Sequence, residues 1–167
     1  VPSVAVLINS PGGSPVQSSL IFKRIRQLAD EHEKKVYVFC EDVAASGGYY
    51  LAIAGDEIYA DTSSIIGSIG VISQSFGFVE AIKKIGVYTA GENKSTLDPF
   101  LPENPDDVVR IKAIQRDIHD VFIGLVKERR AGKLKGPDQE LFSGAFWSGP
   151  KAAELGLIDG ISDVRSK

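Results

Sequence analysis

A strand, a helix and a second strand follow one another in the first 41 residues, and that succession admits few folds. Residues 4–9 are an almost continuous apolar run, broken by Ser10-Pro11-Gly12-Gly13. A short apolar run ended by turn residues reads as a buried strand. Ser14-Pro15-Val16-Gln17 then carries a helix-start pattern, with a capping serine, proline in the first turn and glutamine at the capping-box position. Val16, Leu20, Ile21, Ile25 and Leu28 continue at helical spacing to about Glu33, and residues 36–41 give the second strand. Two strands joined through a helix predict a right-handed parallel crossover, and so an α/β chain.

The rest of the chain extends this pattern. Residues 42–45 read as a loop, and Ser46-Gly47-Gly48 opens a helix to about Ala54. A short strand is expected at 57–60, and 67–70 reads as a Gly/Ser turn before residues 71–73. Residues 79–85 look helical, 87–90 strand-like, and 91–105 loop-rich, with Pro99, Pro102 and Pro105. A long helix is expected at about 106–130, with Ile111, Ile114, Ile118, Phe122 and Leu125 as its apolar stripe. Ser148-Gly149-Pro150 starts a last helix that Gly156 ends, and Leu157-Ile158 returns to a strand.

Composition narrows the chemistry. With 167 residues, 43% of them hydrophobic, the chain can build a real core as one domain. A net charge of −3 argues against a surface that coats nucleic acid. The single Cys40 excludes an internal disulfide and a cysteine-rich zinc site. No ligand cluster suggests a metal or an organic cofactor. No transmembrane span is expected: the most apolar stretch, 65–72, is short and interrupted by Gly67, Ser68 and Gly70. The chain starts at Val1 without Met, which reads as a piece of a longer protein.

Three places can carry chemistry. In Ala45-Ser46-Gly47-Gly48-Tyr49 a serine lies between a strand and a helix, with two glycines that let backbone approach a ligand. It is either an exposed nucleophile or an N-cap on a glycine-rich turn. In Asn9-Ser10-Pro11-Gly12-Gly13 the glycine amides precede a helix; they are either a strand-to-helix turn or donors to an oxyanion. A phosphate loop is excluded, because Gly-Lys-Ser/Thr is missing. The base is the third question. His119 lies mid-helix and His32 among charges at a helix end, both readable as packing or solvated residues. Lys94, in the loop Gly91-Glu92-Asn93-Lys94-Ser95, is either a base or a surface lysine.

Taken in order, Asn9-Ser10-Pro11-Gly12-Gly13, Ala44-Ala45-Ser46-Gly47-Gly48-Tyr49-Tyr50, Gly67-Ser68-Ile69-Gly70-Val71, Gly91-Glu92-Asn93-Lys94-Ser95 and Ala152-Ala153-Glu154-Leu155-Gly156-Leu157-Ile158-Asp159 resemble the signal peptide peptidase A family, in its short, single-core form. The resemblance covers nearly the whole chain. It implies a Clp protease/crotonase-like fold: repeated β-β-α and βαβ units around a mostly parallel sheet, with a long helix in the C-terminal half. It implies a serine–lysine peptidase with Ser46 as nucleophile, Lys94 as general base and Ser68 holding the lysine. Gly13, or Gly12, and Gly47 are the expected oxyanion donors. The substrates implied are released signal peptides or other extended apolar peptides, with 65–72 and 73–78 as candidate groove walls. A ring- or dome-shaped homo-oligomer is implied, with 99–105 and the long helix as candidate interface. So is a bacterial or archaeal membrane association through an N-terminal anchor and strand that precede this core. A crotonase-like acyl-CoA enzyme, a phage capsid-maturation protease and a non-catalytic scaffold are the competing readings.

Overall fold

The computed structural model describes residues 2–73, 96–98 and 102–167. The helix expected at 79–85, the strand at 87–90 and the Lys94 loop lie outside the described residues. Strand β1 (Ser3–Ser10) leads into helix α1 (Pro15–Glu31) and strand β2 (Lys35–Ala45), the expected parallel crossover. Ser14 caps α1: its Oγ accepts from the Gln17 amide at 3.4 Å, and Pro15 occupies the first turn, as the sequence pattern predicts.

The chain divides into two compact units, Val1–Gly70 with His119–Lys167, and Val71–Ile118. The first carries the sheet, whose described strands number six and run in the order β5-β4-β2-β3-β6, with β1 also on β2. Strands β3 (Glu57–Ala60), β4 (Ile65–Gly67) and β6 (Gly160–Ile161) extend it in parallel, and β5 (Phe146–Ser148) closes on β4 antiparallel. β2 is the hub. Its first half pairs with β3 and its last three residues, Val43 to Ala45, pair with β4, while β1 accompanies it throughout. Residues 42–45, expected as a loop, are therefore strand. The polar Glu41-Asp42 pair hides this: the β1–β2 register jumps from Ile8↔Cys40 to Ser10↔Ala44, a bulge that swings the end of β2 toward β4.

Short helix α2 (Gly47–Ala52) follows β2 and sits at the centre of the core. Tyr49 is fully buried and its hydroxyl donates to the Leu157 carbonyl at 2.6 Å. Tyr50 packs edge-on against Phe22 of α1 and 5.0 Å from Phe122 of helix α3 (Pro105–Arg129). Six residues make too short a helix to stand alone. Side chains hold its end instead: Arg129 donates to the Ile53 and Gly55 carbonyls at 2.8 and 3.0 Å, and Arg26 to the Ala54 carbonyl at 3.0 Å. Asp56 joins the two arginines and also accepts from the Val36 amide. Burial, with Arg26 alongside, holds the Arg129 guanidinium below its ordinary value.

The buried residues of α3 within the first unit are Phe122 and Val126, and Arg130 just past the helix continues the stripe. Ile114, expected on the stripe, is exposed, and Ile111 and Ile118 are half-buried. Helix α4 (Asp138–Leu141) precedes β5, and α5 (Gly149–Glu154) follows it, ended by Gly156 at φ 76°. The last strand lies three residues beyond the expected Leu157-Ile158, which are buried in a bend that precedes it. In the second unit, the start of α3 carries Asp106 and Asp107, which suit a helix N-terminus, and Asp107 accepts from the Leu97 amide at 3.2 Å. No helix among the described residues is long and apolar enough to cross a membrane.

Candidate active site

β2 ends in a conformation that serine does not choose freely. Ser46 has φ 52° and ψ −121°, the geometry of the first central residue of a type II′ turn, which normally calls for glycine. Such a residue costs on the order of 1–3 kcal/mol and persists only where its surroundings enforce it. Here they do. The Ser46 amide donates to the Gly67 carbonyl at 2.8 Å, the Ser46 carbonyl accepts from Tyr50 at 2.9 Å, and Ala45 pairs with Gly67 in the β2–β4 ladder. Ser46 stands at the N-cap position of α2, but its side chain makes no capping hydrogen bond to the helix. What remains is a serine on a strained strand-to-helix elbow, half-buried and uncommitted to its helix.

The second glycine-rich segment lies against this elbow. A Cβ on Gly12, whose φ is 116°, would sit 2.8 Å from the Ser46 Cβ and 2.9 Å from the Gly47 amide nitrogen. A Cβ on Gly47 would sit 3.1 Å from the Gly13 amide nitrogen and 2.6 Å from Ser18 Oγ. On Gly48 it would lie 2.3 Å from the Ser10 carbonyl oxygen. The turn and the elbow therefore interlock backbone to backbone, and only glycines permit it. The Gly13 and Gly47 amides are brought to the same place beside Ser46, and no described residue accepts a hydrogen bond from either. Two such amides beside a serine hydroxyl are the makings of an oxyanion hole. At Gly13 a Cβ would meet nothing within 4 Å, so this side of the turn is open.

Ser68 sits one residue past the Gly67 that pairs with Ala45, so the two serines follow neighbouring, ladder-paired positions. It too has φ 52°, and its amide donates to the Ala145 carbonyl at 2.7 Å. Gly67 leaves room for Trp147, whose ring would be 2.8 Å from a Cβ there. Of the apolar stretch 65–72, Ile66 and Ile69 are fully buried and belong to the core, while Ile65 and Ile72 are exposed. The histidines contribute elsewhere. His119 Nε2 donates to the Ile69 carbonyl at 2.9 Å, which occupies that nitrogen, and His32 is an exposed residue ending α1. Lys94 lies outside the described residues. Cys40 is buried, which pushes its thiol up to about 12 and leaves it inert.

Motif reading gave no role to three side chains that support this geometry, two of them inside the Asn9-to-Gly13 motif. Asn9 spans the bulge: its Nδ2 donates to Asp42 at 2.7 Å and its Oδ1 accepts from the Val43 amide at 3.2 Å. Ser10 Oγ accepts from the Gly12 amide at 3.2 Å. Ser18, buried, donates to the Ser14 carbonyl at 3.0 Å and fills the space beside Gly47. A polar Asn-Ser pair ending an apolar strand was the one signal available for the first two.

Comparison with known proteins meets this geometry from another direction. A sequence model of Peptidase family S49 matches residues 29–166. The chain is 34% identical over 167 residues to "Protease 4" of Haemophilus influenzae, covering 96% of this chain and 26% of that protein. It is 30% identical over 167 residues to "Serine protease SPPA, chloroplastic" of Arabidopsis thaliana, covering 95% and 24%. It is also 67% identical over 169 residues, 99% of this chain, to 23% of a Brucella abortus (strain 2308) protein named "Na(+)/H(+) antiporter NhaA". The chain thus spans about a quarter of the length of these curated relatives, and their names describe the whole proteins. With the match running from α1 to the C-terminus, across the Ser46 elbow and the Gly67-Ser68 segment, the chain belongs to Peptidase family S49, the signal peptide peptidase A family.

Proposed function

We propose that this chain is the catalytic core of a serine endopeptidase that works through a Ser46–Lys94 dyad. The observation that carries the reading is the strained Ser46 elbow with the free Gly13 and Gly47 amides beside it. A peptide carbonyl enters with its oxygen toward those amides. Ser46 Oγ attacks the carbonyl carbon and its proton passes to Lys94. The tetrahedral oxyanion is held by the two amides, each worth roughly 3 kcal/mol in the transition state. Lys94 returns the proton to the departing amine, leaving an acyl-enzyme, and water, deprotonated in the same way, releases the acid. An ordinary lysine, with a pKa of about 10.4, is charged at neutral pH and takes no proton; an apolar, substrate-covered surrounding is the physical route to a neutral amine. Ser68 aims that amine. The scaffold is a Clp protease/crotonase-like fold in this reading.

The substrates are extended apolar peptides, released signal peptides among them, docked by strand addition. A homo-oligomeric ring or dome and an association with a membrane complete the proposal; both come from the family resemblance.

The test is hydrolysis of a fluorogenic apolar peptide by wild type, Lys94→Ala and His119→Ala. Lys94→Ala is expected to lose activity by about 10³-fold or more while His119→Ala keeps it within roughly fivefold. Near-normal turnover by folded Lys94→Ala overturns the dyad, and a dead but folded His119→Ala points to histidine as base.

A further inference from the structure

We propose that Ser10 is a positioning residue for the oxyanion hole, and that it selects Gly13 over Gly12 as the donor. The inference rests on the peptidase reading above. In the turn Pro11-Gly12-Gly13 proline has no N–H, and the Gly12 N–H donates to Ser10 Oγ at 3.2 Å. Gly13 is the one residue of the three whose amide no described residue occupies.

The anchor itself is rigid. Ser10 ends β1 in register with Ala44, two residues before Ser46. Its carbonyl oxygen stands 2.3 Å from where a Gly48 side chain would begin, so its backbone is wedged against the first turn of α2. The Asn9 bridge to Asp42 and Val43 fixes the strand just before it. The Ser10 hydroxyl thus couples the elbow to the turn: it ties the Gly12 amide back to the strand and leaves the next amide, Gly13, unoccupied, its nitrogen 3.1 Å from where a Gly47 side chain would begin. Without the hydroxyl the Gly12 N–H loses its acceptor, and a turn carrying two glycines is free to rotate its amides out of line. Catalysis by preorganised amides fails when the amides must reorganise.

The experiment compares wild type, Ser10→Ala and Ser10→Thr in the intact protein by steady-state hydrolysis of the fluorogenic apolar peptide, with thermal melting and hydrogen exchange of the Gly12 amide. Ser10→Ala is expected to lower kcat by about 10- to 100-fold, part of the effect of losing an oxyanion donor outright, with KM within about twofold. Ser10→Thr, which keeps the acceptor, restores kcat to within about threefold. The Gly12 amide is protected in wild type and in Ser10→Thr and exchanges freely in Ser10→Ala. A kcat for Ser10→Ala within twofold of wild type overturns the proposal. So does an unprotected Gly12 amide in wild type, or a loss that tracks melting temperature and is not rescued by threonine. Wild type that hydrolyses no peptide while Gly12 stays protected defeats the peptidase reading itself, and the catalytic role of Ser10 with it.

Discussion

Ser46→Ala is expected to abolish peptide hydrolysis, by on the order of 10⁴-fold or more, and to leave the fold intact. The size of the expected loss follows from the proposed role of Ser46 as nucleophile: without Oγ no acyl-enzyme would form, and the oxyanion amides alone would retain only a small residue of catalysis. The intact fold follows from the geometry. Ser46 Oγ makes no cap bond to α2, so its removal orphans no partner there. The unusual φ of 52° is enforced through the backbone, by Gly67 and Tyr50, and alanine bears the same strain as serine. A melting temperature within about 2 °C of wild type is therefore expected beside the lost activity. An unfolded Ser46→Ala would show that the hydroxyl is structural, and an active one that it is not the nucleophile.

The largest stability effect belongs to a different place, the ion pair between Arg130 and Asp159. Arg130 is 2% exposed. Its Nε donates to the Gly156 carbonyl at 2.9 Å and its Nη1 to Asp159 Oδ2 at 2.8 Å. Asp159 also accepts from the Ile58 amide at 2.8 Å and from Lys133. It thereby joins the end of α3 to β3 and to the turn that supports Tyr49. Asp159→Asn keeps the shape but strands a buried guanidinium, a loss of about 3–5 kcal/mol, or roughly 10 °C in melting temperature. The pH dependence fixes the cause. Burial pushes the Asp159 carboxyl up, but Arg130, Lys133 and the Ile58 amide outweigh it and hold it below the usual carboxylate range. A depressed carboxylate contributes stability that is complete above its unfolded pKa, about 3.9, and is lost as pH falls through the lower folded value. The gap between wild type and Asp159→Asn is thus constant above about pH 5 and narrows below pH 4, measured by chemical denaturation across that range. A gap of less than 1 kcal/mol, or one that widens in acid, contradicts this account.

Both effects arise from features of unequal visibility in the sequence. The β1–α1–β2 crossover could be read, because apolar run, capping serine and Pro15 all point the same way, although β1, expected to be buried, leaves Val4 and Leu7 exposed and buries Ile8. The end of β2 could not. Glu41 and Asp42 look like a loop, and only the bulge bridged by Asn9 lets the strand run on to Ala45. β4 and β5 are three residues each, too short for an alternating pattern, and exist because they pair with β2 and with each other. At the site, Ser46 was visible through the glycines that follow it, since an elbow against a second backbone needs them. The interlock of Gly12 with Ser46, and of Gly48 with Ser10, depends on segments more than thirty positions apart meeting at a bulge, which no local pattern records. Arg130 marks only the end of the expected long helix; its burial depends on Gly156 and Asp159 arriving from the far end of the chain.

The central claim, that Ser46 is the reactive residue of a serine peptidase, is met most directly by a serine-directed fluorophosphonate. The protein is incubated with the probe, its intact mass is measured, and the adduct is mapped by peptide sequencing. A single adduct at Ser46, absent from Ser46→Ala, is the predicted result. No adduct on folded protein, or an adduct on another residue that survives Ser46→Ala, would contradict it.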